Sequence, residues 1–337
     1  MTKTLGQPVN ISRTDMTPSS AFPDGTSDWP ATVPVDVSVE SPGLFRIART
    51  LAAEFMRQRR TGSGKTARFF ATRSLLSPIA AARWVTYVGG YYRSLGVPGP
   101  ASVTVNKPLR NYVALGFGPG ERVRLLTDHY RIAAQLLPLA VQTRLAGNAA
   151  MTLGILNGNR GDYSIRFAAS EFMQTTREGE LVLFMEKCSD GCILTKATFL
   201  FARQPDGRLT LVIGGLQGIT GGARSEALGT KREIVDATRS LSQLRPKDVV
   251  LHAVLALADR LGIEAVQAVS NRRHVISKLR TGAVSADYDA YWVERQGRLS
   301  EPYGYTLPVS LPQDPVPPNK REMHKANVVA MVRTLLP

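Results

Sequence analysis

The sequence predicts an α/β protein in which a basic helical half precedes a mixed sheet with crossover helices. Three observations carry this reading. Apolar residues recur at helical spacing up to about Ala150, β-branched and alternating runs replace them from Met151, and Asp-Gly turns join those runs. The organising unit is strand (209–216), polar insert after Gln217, helix (245–261), strand (264–269). A crossover of this kind sets two strands in parallel and makes their ends the expected ligand site.

Taken in order, residues 1–42 are rich in Pro, Ser, Thr and Asp without apolar periodicity and read as a disordered leader. A helical domain is expected over 43–150. Leu44, Ile47, Ala48, Leu51 and Phe55 form one stripe, and Val123, Leu126, Tyr130 and Ala133 a second. Residues 75–92 are apolar and aromatic with Arg83 as their one charge. They read as a buried helix broken by Pro78 and Gly89-Gly90, in preference to an interfacial helix with Trp84, Tyr87, Tyr91 and Tyr92 at headgroup depth.

An α/β domain is expected over 151–299. Its segments 162–168, 180–186, 192–201 and 208–216 form an antiparallel meander with Asp190-Gly191 and Asp206-Gly207 as turns. Thr230 and Glu233 have capping-box spacing, which predicts a helix over 231–241. The next helix has Pro246 in its first turn, Val250, Ala253, Val254, Leu257 and Leu261 on one face, and Gly262 at its end. Residues 300–337 read as a Pro-rich strap and a final amphipathic helix.

Charge bounds the partner. The net charge is +15, and the helical half holds 16 Lys and Arg against 3 Asp and Glu, with no acidic residue between Phe55 and Gly120. Such a surface calls for an anionic partner, either membrane lipid headgroups or an acidic carrier protein. Nucleic acid ranks lower because no recognised binding motif accompanies the arginines. Two cysteines, Cys188 and Cys192, exclude a disulfide framework and a self-contained zinc site, so no metal is expected. With no secretory leader and no long uncharged apolar run, the chain reads as cytoplasmic, peripheral at the inner membrane. Gly62-Ser63-Gly64-Lys65-Thr66 looks like the end of a phosphate-binding loop. Arg59 stands where that motif needs glycine, however, and a helix leads in where a strand is required.

Several separate stretches carry a resemblance: NKPLRNYVALGFGPGERVRLLTDHY (106–130), REGELVLFMEK (177–187), LVIGGLQG, LRPK, AVSNRRHV (268–275) and DYDAYW (287–292). Together they resemble the VirK/YbjX family from about residue 67 onward. The resemblance implies a bacterial protein linked to virulence, envelope stress and antimicrobial-peptide resistance, and it supplies no biochemical activity.

A second likeness is structural. Meander, strand ending in Gln-Gly, glycine-bearing loop, helix with a basic start, then a strand ending in Ser270-Asn271 is similar to the acyl-CoA-binding core of GNAT acyltransferases. There, loop and helix amides hold the pyrophosphate, and two splayed strands admit the acyl arm. About 28 residues separate Gln217 from Pro246, so a short glycine entry directly into the helix is not expected here.

The analogy gives a GNAT-like acyl or aminoacyl transferase acting on an envelope lipid or peptide, with acyl-CoA or acyl carrier protein as donor. Gln217, Gly218, Arg245 and Lys247 would hold the donor, since cations beside a helix N-terminus suit phosphate. Glu180 or His274 would act as general base, Tyr288 would protonate the leaving thiolate, and Asn271 would orient donor or substrate. His129, between Asp128 and Tyr130, is expected on a helix surface or in a second polar site. The alternative is a non-catalytic protein that binds an anionic membrane or partner through its basic half.

Overall fold

The computed structural model describes residues 43–218, 224–276, 287–309 and 319–335. The expected leader over 1–42, Gly221 and Gly222 of the insert, and the prolines of 310–318 lie outside the described residues.

The helical half comprises α1 (Leu44–Thr61), α2 (Gly64–Leu75), α3 (Pro78–Ser94), the short α4 (Ser102–Val105), α5 (Pro119–Leu136) and α6 (Leu139–Ala146). Ser63 caps α2 by accepting the Thr66 N–H at 3.2 Å, so the Gly62 to Thr66 stretch is a junction between helices. Pro78 opens α3 and does not break it, because first-turn N–H groups have no helical partner to lose. Contrary to expectation, α3 also continues through Gly89-Gly90. A glycine costs a helix only about 1 kcal/mol, and burial of Trp84, Tyr87, Val88, Tyr91 and Tyr92 outweighs it. Those rings are core, which removes the interfacial alternative.

Strands β1 (Met151–Gly158), β2 (Gly161–Ala169), β3 (Leu181–Lys187), β4 (Ile193–Arg203) and β5 (Leu209–Gly218) form the antiparallel meander. Then α7 (Arg224–Ser240) and α8 (Pro246–Arg260) lead across to β6 (Ala265–Val269), which runs parallel to β5. After α9 (Tyr288–Glu294), β7 (Arg298–Ser300) and β8 (Gly304–Leu307) fold back, and β8 inserts between β6 and β7. The final helix is α10 (Lys320–Leu335). Helix α7 starts well ahead of the expected residue 231, so Thr230 lies inside it and the capping-box spacing marks no boundary.

Alternate strand residues serve two cores, as the two-residue side-chain period requires. Phe199, Phe201, Leu211 and Ile213 pack with Val250 and Val254 of α8 and with Val328 and Val332 of α10. Leu200, Ala202 and Val212 pack with Trp84 and Tyr91 of α3 and with Leu126 and Tyr130 of α5. Each fully buried Leu, Ile, Val or Phe contributes on the order of 2 kcal/mol. No helix among the described residues is long and apolar enough to cross a membrane.

One hydrogen bond between α5 and the sheet makes the fold acid-sensitive. Pairing of β3 with β4 ends at Leu181 and Phe199, and the Phe201 N–H is taken by His129 Nδ1 at 3.1 Å. His129 is therefore buried, against the helix-surface expectation, and burial reinforced by Lys107 pushes its imidazolium down to about 3. An unfolded histidine takes its proton near pH 6.5. Between these values the unfolded chain binds more protons, so stability falls as pH drops from about 6.5 towards 3, by about 1.4 kcal/mol per unit. His252, brought down to about 4 chiefly by burial, adds with the same sign. In urea titrations, His129→Gln should lose less stability than the parent between about pH 7 and about pH 4; an equal loss would place the acid sensitivity elsewhere.

Candidate functional site

The parallel pairing is short. It runs from Thr210 opposite Ala265 to Ile213 opposite Ala268, after which β5 continues to Gly218 with β4 alone beside it. Gly214 is the extra residue of a bulge, since Phe199 and Thr198 of β4 face Ile213 and Gly215. The edge that β6 leaves is occupied from elsewhere. Glu178, in the turn before β3, lies across the bulge: a Cβ at Gly214 would overlap its carbonyl oxygen, and one at Gly215 its carboxylate. Only glycine admits this approach. On the same stretch, the Tyr288 hydroxyl accepts the Leu216 N–H at 3.3 Å.

His274 sits in the turn that follows β6. Its ring stacks on Tyr288 with 5.1 Å between centroids, and Tyr288 stacks in turn on Trp292. His274 Nδ1 accepts the Ile276 N–H at 3.4 Å, so in the neutral ring the proton is on Nε2. Nε2 lies 3.4 Å from Glu178 Oε1, and the Gln217 amide donates to that same oxygen. Glu178 Oε2 is buried and accepts no hydrogen bond among the described residues. Lys196, opposite Gln217 in the ladder, also faces this carboxylate: burial lowers its pKa while Glu178 opposes the shift. Burial first and Glu178 second hold the Tyr288 phenol above its ordinary range, so it keeps its proton.

A strained turn locks the surroundings. Val113 has φ +60°, and the Ala114 N–H bonds the Tyr112 carbonyl at 2.7 Å. A β-branched residue held there costs on the order of 1–3 kcal/mol. Its neighbours tie both halves of the site together: the Val113 N–H donates to the Arg177 carbonyl and the Leu115 N–H to the Arg273 carbonyl, each at 2.7 Å.

Glu180 belongs to a different cluster. Lys107 Nζ lies 2.8 Å from both its oxygens and 2.7 Å from Glu171 Oε1. Tyr112 and Tyr130 donate to Glu180 at 2.6 and 2.7 Å, and Thr104 donates to Glu171 at 2.8 Å. Two carboxylates thus share one ammonium beside a cavity of about 30 Å³, the size of a single water. Burial, with Glu171 adding and Lys107 opposing, raises the Glu180 pKa. Burial disfavours the charged form of the other two as well, but pairing overrides it: Glu171 is held low by Lys107, and Lys107 is raised by both acids.

The other expected site residues divide between settings. Gly218 ends β5 opposite Thr195. Asn271 anchors α9: its side chain accepts the Tyr288 N–H and donates to Asp287, while its own N–H donates to Asp289. Arg245 lies 3.6 Å from Glu294, and Lys247 rests over the Tyr291 ring at 5.8 Å. Neither joins the Gln217 cluster. Arg245 instead borders a cavity of about 660 Å³ with Asp248, His252 and Arg295. Reading the sequence missed Glu178 and Lys196. The usable signal was Gly214-Gly215, since paired glycines inside a strand mark a close approach.

The comparisons agree on family and stop there. Residues 60–329 match the family described as "Protein of unknown function (DUF535)". The chain is 26% identical over 250 residues to the uncharacterized protein YbjX of Escherichia coli (strain K12), covering 72% of each chain. No solved structure matches. The match spans most of the sequence and includes both polar clusters, so the chain belongs to the DUF535 family and is similar to YbjX within it.

Proposed function

We propose that this protein is a GNAT-like acyl or aminoacyl transferase that seats a thioester where β5 and β6 stop pairing. The observation that carries the reading is the gathering of Glu178, His274, Gln217 and Tyr288 where β6 stops pairing with β5 and Glu178 takes its place. Two further features support it. The sheet is an antiparallel meander with one parallel pair. Moreover, β5 ends at Gly218 and α7 begins at Arg224.

The roles follow from which atoms are free. Glu178 Oε2 accepts the proton of an amine or hydroxyl as its nitrogen or oxygen attacks the thioester carbonyl carbon. His274 Nε2–H and the Gln217 amide face Oε1 and orient the carboxylate. The carbon–sulfur bond breaks, and Tyr288, whose oxygen accepts from Leu216 and whose own proton remains available, protonates the leaving thiolate. The products are an amide or ester and a free thiol. Glu178 takes the part expected of Glu180, whose oxygens are already engaged.

The purified full-length protein is expected to retain a stoichiometric acyl-CoA or acyl carrier protein complex in native mass spectrometry, and to release thiol when an amine acceptor is added. If no thioester is retained and none is consumed, the transferase reading fails.

A further inference from the structure

Four arginines from separate segments line one surface pocket of about 580 Å³: Arg73 of α2, Arg110, Arg122 of α5, and Arg177 ahead of β3. None of the four makes a salt bridge among the described residues. Arg122 reaches only neutral acceptors, the Pro108 carbonyl at 3.3 Å and Asn111 Oδ1 at 3.4 Å. Phe69 holds two guanidinium groups against its ring, Arg110 at 4.5 Å and Arg73 at 5.9 Å. Like charges gathered this way disfavour one another. Burial first and Arg177 second lower the Arg110 pKa; burial and Arg73 lower that of Arg122, with Glu121 opposing. The Glu121 carboxylate itself accepts the Gly118 N–H at 2.6 Å.

Leu76 lines this pocket, and Leu75 and Ile79 flank it in the chain. Leu75 and Leu76 are 76% and 74% exposed and Ile79 is 49% exposed, all at the junction of α2 and α3. Guanidinium forks match phosphate oxygens, and large side chains left in water beside them suit an acyl boundary. We propose that this pocket binds the phosphoryl head of an anionic lipid, with Arg73, Arg110, Arg122 and Arg177 on the phosphate oxygens and Leu75, Leu76 and Ile79 in the lipid surface. A free phosphate would use the arginines and leave the leucines idle. The proposal stands without the transferase reading.

The test is co-sedimentation of the full-length protein with phosphatidylcholine vesicles with and without phosphatidic acid, beside thermal shifts with inorganic phosphate. Arg110→Gln/Arg177→Gln should weaken vesicle binding about tenfold or more. The control Arg239→Gln/Arg298→Gln removes the same charge from exposed positions outside the pocket and should change it far less. Leu75→Ser/Leu76→Ser should weaken vesicle binding and leave any phosphate response intact. Equal losses in the pocket and control variants would mean diffuse charge and overturn the site. Stabilisation by phosphate without vesicle binding would assign the pocket to a free anion and overturn the lipid.

Discussion

Lys107→Met should destabilise the protein by about 3–5 kcal/mol, because it removes the partner and leaves two buried carboxylates without a counter-charge. Lys107 is almost fully buried, donates to both Glu180 oxygens and lies 2.7 Å from Glu171. Adding Glu180→Gln should recover part of the loss, because the second carboxylate no longer needs a cation. The pH response carries the sign. In the variant Glu171 is no longer held low and Glu180, already raised, loses the ammonium that opposed its shift, so both folded pKa values lie above the unfolded ones. Acid should then cost the variant less stability than it costs the parent. Urea midpoints for parent, single and double variants over an acid series would measure this. A single variant as stable as the parent would show that the cluster contributes nothing to the fold.

The second large effect concerns turnover. Glu178→Gln and His274→Ala are each expected to lower thioester-to-amine transfer by about a hundredfold or more; Glu178→Gln should keep its thermal midpoint near the parent's, whereas His274→Ala empties a buried, ring-stacked position and should also lower it. Glu178→Gln removes the accepting oxygen but keeps the shape and the contact with Gln217. Glu180→Gln gives the contrast: it should change stability much more than turnover, because Glu180 is occupied by Lys107, Tyr112 and Tyr130. Retained thioester binding in Glu178→Gln would separate chemistry from donor capture. If Glu180→Gln instead abolished transfer in a stable protein, the base would have to be moved two residues along.

Much of the architecture was legible because its causes are local. The meander follows from alternating runs and Asp-Gly turns, and α8 from Pro246, its apolar face and Gly262, whose φ of +64° suits a helix end. Two local signals failed. The Gly89-Gly90 pair did not break α3 because its neighbouring aromatic residues are buried, and Thr230 with Glu233 marked no helix start because α7 had already begun at Arg224.

The candidate site was half legible for the same reason. His274, Tyr288 and Gln217 stand at or beyond strand ends, where a crossover unit collects ligands, and the sequence by itself determined them as candidates. Only the tertiary structure sets Glu178 and Glu180 in different surroundings. The two differ by two positions in one segment, and nothing local distinguishes them. Glu180 meets an ammonium brought by Lys107, 73 residues away, whereas Glu178 meets the bulge at Gly214 and the imidazole of His274. The gathering of Arg73, Arg110, Arg122 and Arg177 in one pocket was equally invisible: the sequence determined the excess of charge, and folding decided which charges face one another. Local periodicity specifies elements, but electrostatic partners are chosen across long loops, by the contacts that bury them.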